Sequence, residues 1–409
     1  MSKRVAIVTY AMSCGGAETF ILTLAEYLSR EGFDVEVITT EAAGEWFPRV
    51  SEIGLKAVHL PGWHPLFHSL GVGRYLAKGA YDVVLLNHAI YAQASLGMLP
   101  DGAIAIPIVH NDDKAIYRVA CANRPAWNVA VCVSPKLAET FGLMAPDRPV
   151  VQILYGISAP DAPREGRRPF ERPIRLLFVG RLAHCHKGVL FLPDILRSCL
   201  DRSIDAALTV VGDGIDREAL DQKVRDHGLQ DAVRFCGQAP NEEVYHLMSD
   251  SHILLMPSFY EGMGLVLPEA MWCGCVPIAS RLRGVTDAVV EDGRTGILIE
   301  VGDVGGFVDA IARLHGDEKL WEEMSRASHK AASERFTVEA MGESYKRLIL
   351  DALDGRYPLP KSRRLLPAFD RALFSWRDYL PGRVRRFLGA VRIRIRGVLA
   401  RIIQSTTPE

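Results

Sequence analysis

The chain has 409 residues, 48% hydrophobic and 24% charged, the composition of a folded globular protein too long for one ordinary core, so two domains are expected. No run of eighteen or more apolar residues occurs, which argues against a membrane-spanning helix. The net charge of −1 hides an asymmetry: residues 356–409 carry thirteen Lys or Arg against three acidic residues, a local balance of +10 that leaves −11 for residues 1–355.

The opening MSKRVAIVTYA has a brief apolar run that leads into a glycine-containing loop, so it reads as a first strand at residues 5–9 and not as a secretory signal. A helix at about residues 17–30 and a strand at 35–39 follow, and further strands are expected at 83–87, 104–110, 129–134 and 150–155. Residues 160–173 hold four prolines and many charges and read as an exposed linker. A second series has strands at 174–180, 207–211, 233–236, 253–256 and 276–279 with helices between, then an amphipathic helix at about 338–353. Strands alternating with helices are the sequence form of a parallel α/β sheet. The prediction is therefore an α/β chain of two doubly wound, Rossmann-like domains, residues 1–165 and 166–337, facing a cleft, with a helix at 338–355 and a basic tail at 356–409.

Four loops stand at the carboxyl ends of predicted strands. In the first, Gly15 and Gly16 precede a helix whose amino terminus favours negative charge, although a plain strand-to-helix turn explains two glycines equally well. In the second, FVGRLAHCHKG, Gly180 is followed by Arg181, a planar fork for phosphate oxygens, and by Lys187, a point charge of the same sign. Two such cations could neutralise a diphosphate without a metal ion, and an ordinary solvated loop is the bland alternative. The third, Gly212-Asp213-Gly214, lacks the third glycine of a dinucleotide fingerprint because Arg217 stands there, which disfavours a nicotinamide dehydrogenase. The fourth, PSFYEGMGLVLPEAMWCGCVPIAS at 257–280, sets Glu261 and Glu269 around a turn in which Gly262 and Gly264 let backbone N–H groups face an anion or sugar.

A glycosidase would need its two carboxyls on opposite sides of the scissile bond. Glu269 instead falls in the first turn of a helix opened by Pro268, where the helix dipole should keep it ionised, a poor general acid and a good hydroxyl acceptor. His110 ends a strand in IPIVHND and faces the expected cleft, and His88 in LLNH has a similar but weaker context. The His184-Cys185-His186 cluster and the pair Cys273 and Cys275 lack zinc-site spacing, so no metal is assigned. The eight scattered cysteines suit reduced thiols in a cytoplasmic protein.

These segments resemble the retaining nucleotide-sugar glycosyltransferases of the GT-B fold, glycosyltransferase family four. The likeness is dense over residues 174–345, through FVGRL…KG, VVGDG, VRFCGQAPNEEV, the 257–280 stretch, DGRTGILIEVGD and RFTVEAMGESYKRL, and looser before that, in the Gly15-Gly16-Ala17-Glu18 loop, VSPKLAE and LYGI. The resemblance implies an acceptor-side first domain and a donor-side second domain. It gives catalytic parts to Arg181, Lys187, Glu261 and His110, the first two on the leaving diphosphate and His110 on the sugar. Donor contacts fall to Gly15, Gly16, Gly180, Gly212, Gly262, Met263, Gly264, Leu265 and Glu269, the last on ribose hydroxyls. It implies no metal and no cofactor other than a nucleoside-diphosphate sugar as donor substrate, with a saccharide or lipid-linked acceptor, in glycan or envelope polysaccharide synthesis. Two residues depart from the family pattern: Met263 replaces the usual Phe of the glycine turn, and Tyr155 replaces the Asn of a Pro-Asn-Gly segment. A nucleotide-sugar epimerase of the same fold and a silent nucleotide-sugar-binding scaffold are the alternatives.

In the tail, Val384, Phe387, Leu388, Val391, Ile395, Val398, Leu399 and Ile402 fall on about one third of a helix circumference, with six arginines largely outside that stripe. Such a helix can lie on an anionic membrane surface, at the inner face if the chain is cytoplasmic, or pack on the first domain or a second subunit. Nucleic acid is disfavoured, because no aromatic platform accompanies the charge.

Overall fold

The computed structural model describes residues 2–13, 15–62, 64–158 and 172–358, with the single residues Phe170 and Leu373. The predicted basic helix at 384–402 and most of the 160–173 linker lie outside the described residues.

Seven strands, β1 (Arg4–Thr9), β2 (Asp34–Thr39), β3 (Lys56–His59), β4 (Val83–Asn87), β5 (Ile104–Val109), β6 (Ala130–Cys132) and β7 (Val150–Gln152), form a parallel sheet in the order β3-β2-β1-β4-β5-β6-β7. A second parallel sheet orders β8 (Ile174–Val179), β9 (Ala206–Val211), β10 (Val233–Gly237), β11 (Ile253–Met256), β12 (Val276–Ser280) and β13 (Ile297–Ile299) as β10-β9-β8-β11-β12-β13. The central strands are short runs of Val, Ile and Leu buried on both faces, as a parallel sheet covered by helices requires. Two edge strands were not legible as such: none of the four residues of β3 is buried, so it has no continuous apolar run, and β13 is only three residues long. β5 stops one residue earlier than expected, which leaves His110 just past the strand.

Helices fill the connections. In Gly16–Arg30 the buried Phe20, Ile21, Leu24, Ala25 and Leu28 repeat at helical spacing and face the sheet, with Glu18 in the first turn and Arg30 in the last matching the helix dipole. The chain passes back to the first unit at its end. Ile157 N–H donates to the Phe336 carbonyl (2.8 Å) and Ile157 pairs with Thr337, whose hydroxyl caps the helix Val338–Leu353 through the Ala340 N–H (3.1 Å).

That last helix packs on Gly16–Arg30. Tyr345 is buried with its ring 5.6 Å from Phe20, Lys346 reaches Glu31 at 2.7 Å, and a Cβ on Gly342 would lie 2.3 Å from the Tyr27 ring. The apolar core of the first sheet also continues into the second unit through Leu177, Met256, Met263 and Leu267, while the far face of the second sheet has its own core around Phe178, Leu196, Phe307 and Trp321. A direct backbone bond, Lys136 N–H to the Gly284 carbonyl (2.9 Å), joins the units elsewhere. Among the described residues, no helix is long and apolar enough to cross a membrane.

Because Tyr27 occupies the place of a side chain at position 342, Gly342→Val should lift the last helix from the first unit. The expected loss is about 1–3 kcal/mol in urea denaturation, and an unchanged midpoint would contradict this seating.

Candidate active site

Each sheet reverses its strand order once, between β1 and β4 and between β8 and β11. Ligands of open α/β sheets bind outside the carboxyl ends of the strands at such switch points. Gly180 and Arg181 follow β8, the Glu261 turn follows β11, the Gly15-Gly16 loop follows β1 and His88 follows β4. The sequence motifs therefore flank both switch points. Gly212, after β9, serves the scaffold: its φ is 126° and a Cβ there would sit 2.0 Å from the Gly180 carbonyl, so glycine lets the two loops cross.

The two expected cations differ in state. Lys187 ends the short helix His184–Lys187, and its Nζ donates to Glu261 Oε1 at 2.6 Å, an oxygen that also accepts from Ser258 Oγ at 2.8 Å. Glu261 is only 7% exposed and pairs with Lys187 through Oε1. The loop is held in place where the Phe259 N–H donates to the His186 carbonyl (2.8 Å). Arg181 is exposed: its carbonyl accepts from the Ala183 N–H (2.9 Å), but its guanidinium makes no hydrogen bond or ion pair among the described residues. Its charge is felt by two groups of the first unit: burial raises the pKa of Glu18 and Tyr10, and Arg181 opposes both shifts. Glu18 lies in the first turn of Gly16–Arg30, where Gly15 supplies no side-chain cap; the Glu18 carboxylate accepts from its own backbone N–H and an Oε lies 2.7 Å from where a Cβ on Gly15 would stand, so a carboxylate already faces the start of this fifteen-residue helix.

The glycine turn after Glu261 touches the first unit. A Cβ on Gly262 would lie 1.9 Å from the His110 carbonyl, Met263 Sδ accepts from the Tyr155 N–H at 3.1 Å, and a Cβ on Gly16 would lie 3.1 Å from Leu265 Cδ1. Gly264 takes a left-handed φ of 79° that leads into the helix Val266–Trp272. The structure thus brings Gly15, Gly16, Gly262, Met263, Leu265 and His110 together.

Two expectations change on inspection. His110 does not offer a ring nitrogen to the cleft: Nδ1 bonds the Tyr155 hydroxyl (2.6 Å), Nε2 bonds Asn87 Oδ1 (2.8 Å), and burial lowers its pKa to about 3, so it is neutral. Glu269 does not stay clearly ionised. Its helix is only seven residues long, burial raises its pKa to about 7, and the hydrogen bond from Tyr245 offsets this only in part.

Sequence reading missed Tyr245, Ser258 and Asn87. None lies in a distinctive local pattern, and their roles come from tertiary contacts. Tyr155 was visible only as a departure from the family pattern.

A family profile described as "Glycosyltransferase Family 4" matches residues 14–159, and one described as "Glycosyl transferases group 1" matches residues 173–317. A glycogen synthase of Mycobacterium tuberculosis is 26% identical over 363 residues, 86% of this chain and 79% of the relative. A phosphatidyl-myo-inositol mannosyltransferase of Mycobacterium leprae is 27% identical over 342 residues, 78% of this chain and 88% of the relative. Among solved structures, Anabaena Alr3699/HepE in complex with UDP and glucose superimposes with a TM-score of 0.71 at 19% identity, covering 85% of this chain and all of the other. At that identity the likeness establishes the GT-B fold.

The raised pKa of Glu269 carries a sign. A carboxyl that binds its proton more tightly when folded contributes stability that is full below its unfolded pKa, near 4.5, and is lost as pH rises through about 7. Glu269→Gln should therefore match the parent at pH 4 and exceed it at pH 8, by roughly 1–3 kcal/mol after allowance for the carboxyl's partial contact with water. Urea denaturation at both pH values reads the difference, and a variant less stable at pH 8 would contradict the assignment.

Proposed function

Since the chain belongs to glycosyltransferase family 4, two profiles of which together match more than two thirds of it, we propose that it transfers a hexose-type sugar from a nucleoside diphosphate to a hydroxyl of a saccharide or lipid-linked acceptor, with retention of anomeric configuration. The observation that carries this reading is the guanidinium of Arg181 at the β8–β11 switch point, without a side-chain partner among the described residues, in the same loop as Lys187 and within electrostatic reach of Glu18 at the start of the Gly16–Arg30 helix. Positive charge of this kind is what a departing diphosphate needs.

In this reading Arg181 and Lys187 hold the donor diphosphate. Lys187 arrives oriented by Glu261, and donor oxygens share its three donors with that carboxylate. The backbone N–H groups at Gly262 to Leu265 face the phosphate and sugar, and Glu269 accepts from ribose hydroxyls once ionised. The bond from the anomeric carbon to the phosphate oxygen breaks on the same face on which the acceptor oxygen bonds, and the acceptor's proton passes to the departing phosphate. A cationic sugar between the two events keeps the configuration without an enzyme nucleophile.

Arg181→Ala and Lys187→Ala should each lower kcat by about a hundredfold to a thousandfold, the equivalent of ~3–4 kcal/mol. Turnover is read as nucleoside diphosphate released from a panel of nucleotide sugars with saccharide and polyprenyl-phosphate-linked acceptors. Near-parental kcat in either variant would reject the assignment. Release independent of acceptor, or conversion of the donor to its epimer, would reject transfer itself.

The basic amphipathic sequence at 384–402 supports a peripheral contact with the inner face of a membrane, where a lipid-linked acceptor for glycan or envelope polysaccharide synthesis would lie. The full chain should float with liposomes rich in anionic lipid, and a chain lacking residues 359–409 should not. Equal flotation would remove the membrane assignment.

A further inference from the structure

Tyr155 lies just past β7 and is buried, and its two polar ends reach opposite sides of the cleft. Its hydroxyl is 2.6 Å from His110 Nδ1, while His110 Nε2 is 2.8 Å from Asn87 Oδ1 and Asn87 Nδ2 donates to the Val8 carbonyl at 3.4 Å. An amide oxygen can only accept, so Nε2 must carry hydrogen. Nδ1 is then bare and accepts from the tyrosine hydroxyl, and one neutral tautomer satisfies the whole chain of bonds. The rings reinforce this order: Tyr155 lies 15° from parallel to His110 at 5.9 Å, and Phe20 packs against both, at 5.3 Å from Tyr155 and 5.2 Å from His110. On its other side the Tyr155 N–H donates to Met263 Sδ in the donor-side turn.

We propose that Tyr155 is a positioning residue: its hydroxyl fixes the His110 ring in the Nε2–H tautomer, and its backbone ties that ring to the Met263 turn, so that the two sides of the cleft keep one register. The ring nitrogens are spent on Tyr155 and Asn87, and His110 acts through its fixed ring edge and through its carbonyl against Gly262 instead of by moving a proton. The two departures from the family pattern are thereby a bonded pair. This rests on the reading of His110 as a site residue.

The ring tautomer is read directly from long-range 1H–15N spectra of the full chain at pH 7, with His110 assigned by the signal lost in His110→Gln. The expected result is the Nε2–H form alone. A protonated ring, an Nδ1–H form or a mixture would overturn the proposal without any change at position 155. In Tyr155→Phe, with folding checked by thermal denaturation, the second tautomer should appear and kcat should fall by about tenfold to a hundredfold, a range typical of slight misplacement, while donor KM changes by less than about threefold. An inactive His110→Ala beside a fully active Tyr155→Phe would overturn the proposal and leave the site assignment standing. Full activity in His110→Ala would overturn both.

Discussion

Gly262 approaches the carbonyl of His110 so closely that no side chain fits between the two units. Everything proposed for the site depends on it. It sets the donor-side turn against the end of β5, brings Met263 to Tyr155 and lays Leu265 beside Gly16. Apolar packing that runs from the first sheet through Met256, Met263 and Leu267 backs this contact. The last helix adds a second anchor by returning to the first unit with Tyr345 and Gly342. A crevice assembled from two sheets needs such a fixed edge, because small shifts at the reacting centre cost large factors in rate.

The electrostatics of the crevice are graded. Lys187 is paired with Glu261, the Arg181 guanidinium has no partner among the described residues, Glu18 is buried with a raised pKa, and burial raises the pKa of Glu269 to about 7. An anionic ligand entering this arrangement gains from Arg181 at once. It meets Lys187 already aimed by a carboxylate that can remain as its second partner. The site stores unfavourable burial in two carboxyls, which is the usual relation between function and stability at such places.

Much of this was legible in the sequence because it is local. β4, β11 and the helix Val338–Leu353 fall where apolar runs and helical spacing put them, and the glycine loops announce the carboxyl ends of strands. The edge strands β3 and β13 were not legible, since a strand paired on one side needs no buried run. At the site, Arg181 and Lys187 could be named from charge and position, but the pairing of Lys187 with Glu261 joins residues 74 positions apart. The ionisation of Glu269 was misjudged because a first-turn position suggests a dipole, whereas the seven-residue helix and the packed surroundings that decide the matter exist only in three dimensions. His110 was found by its place at a strand end, and the commitment of both its nitrogens depended on Asn87, the last residue of β4, and Tyr155, past the end of β7.

The chain passes between the units at two places that lie side by side, where Ile157 pairs with Thr337 and bonds Phe336. Two neighbouring crossings laced together behave as a hinge pin. Sliding of one sheet over the other would break that lacing, whereas rotation about it would not. Separating the sheets at the far edge would also have to break the Lys136–Gly284 bond and lift Gly262 from the His110 carbonyl, so the lacing at Ile157 is one of three ties that hold the crevice at its present width.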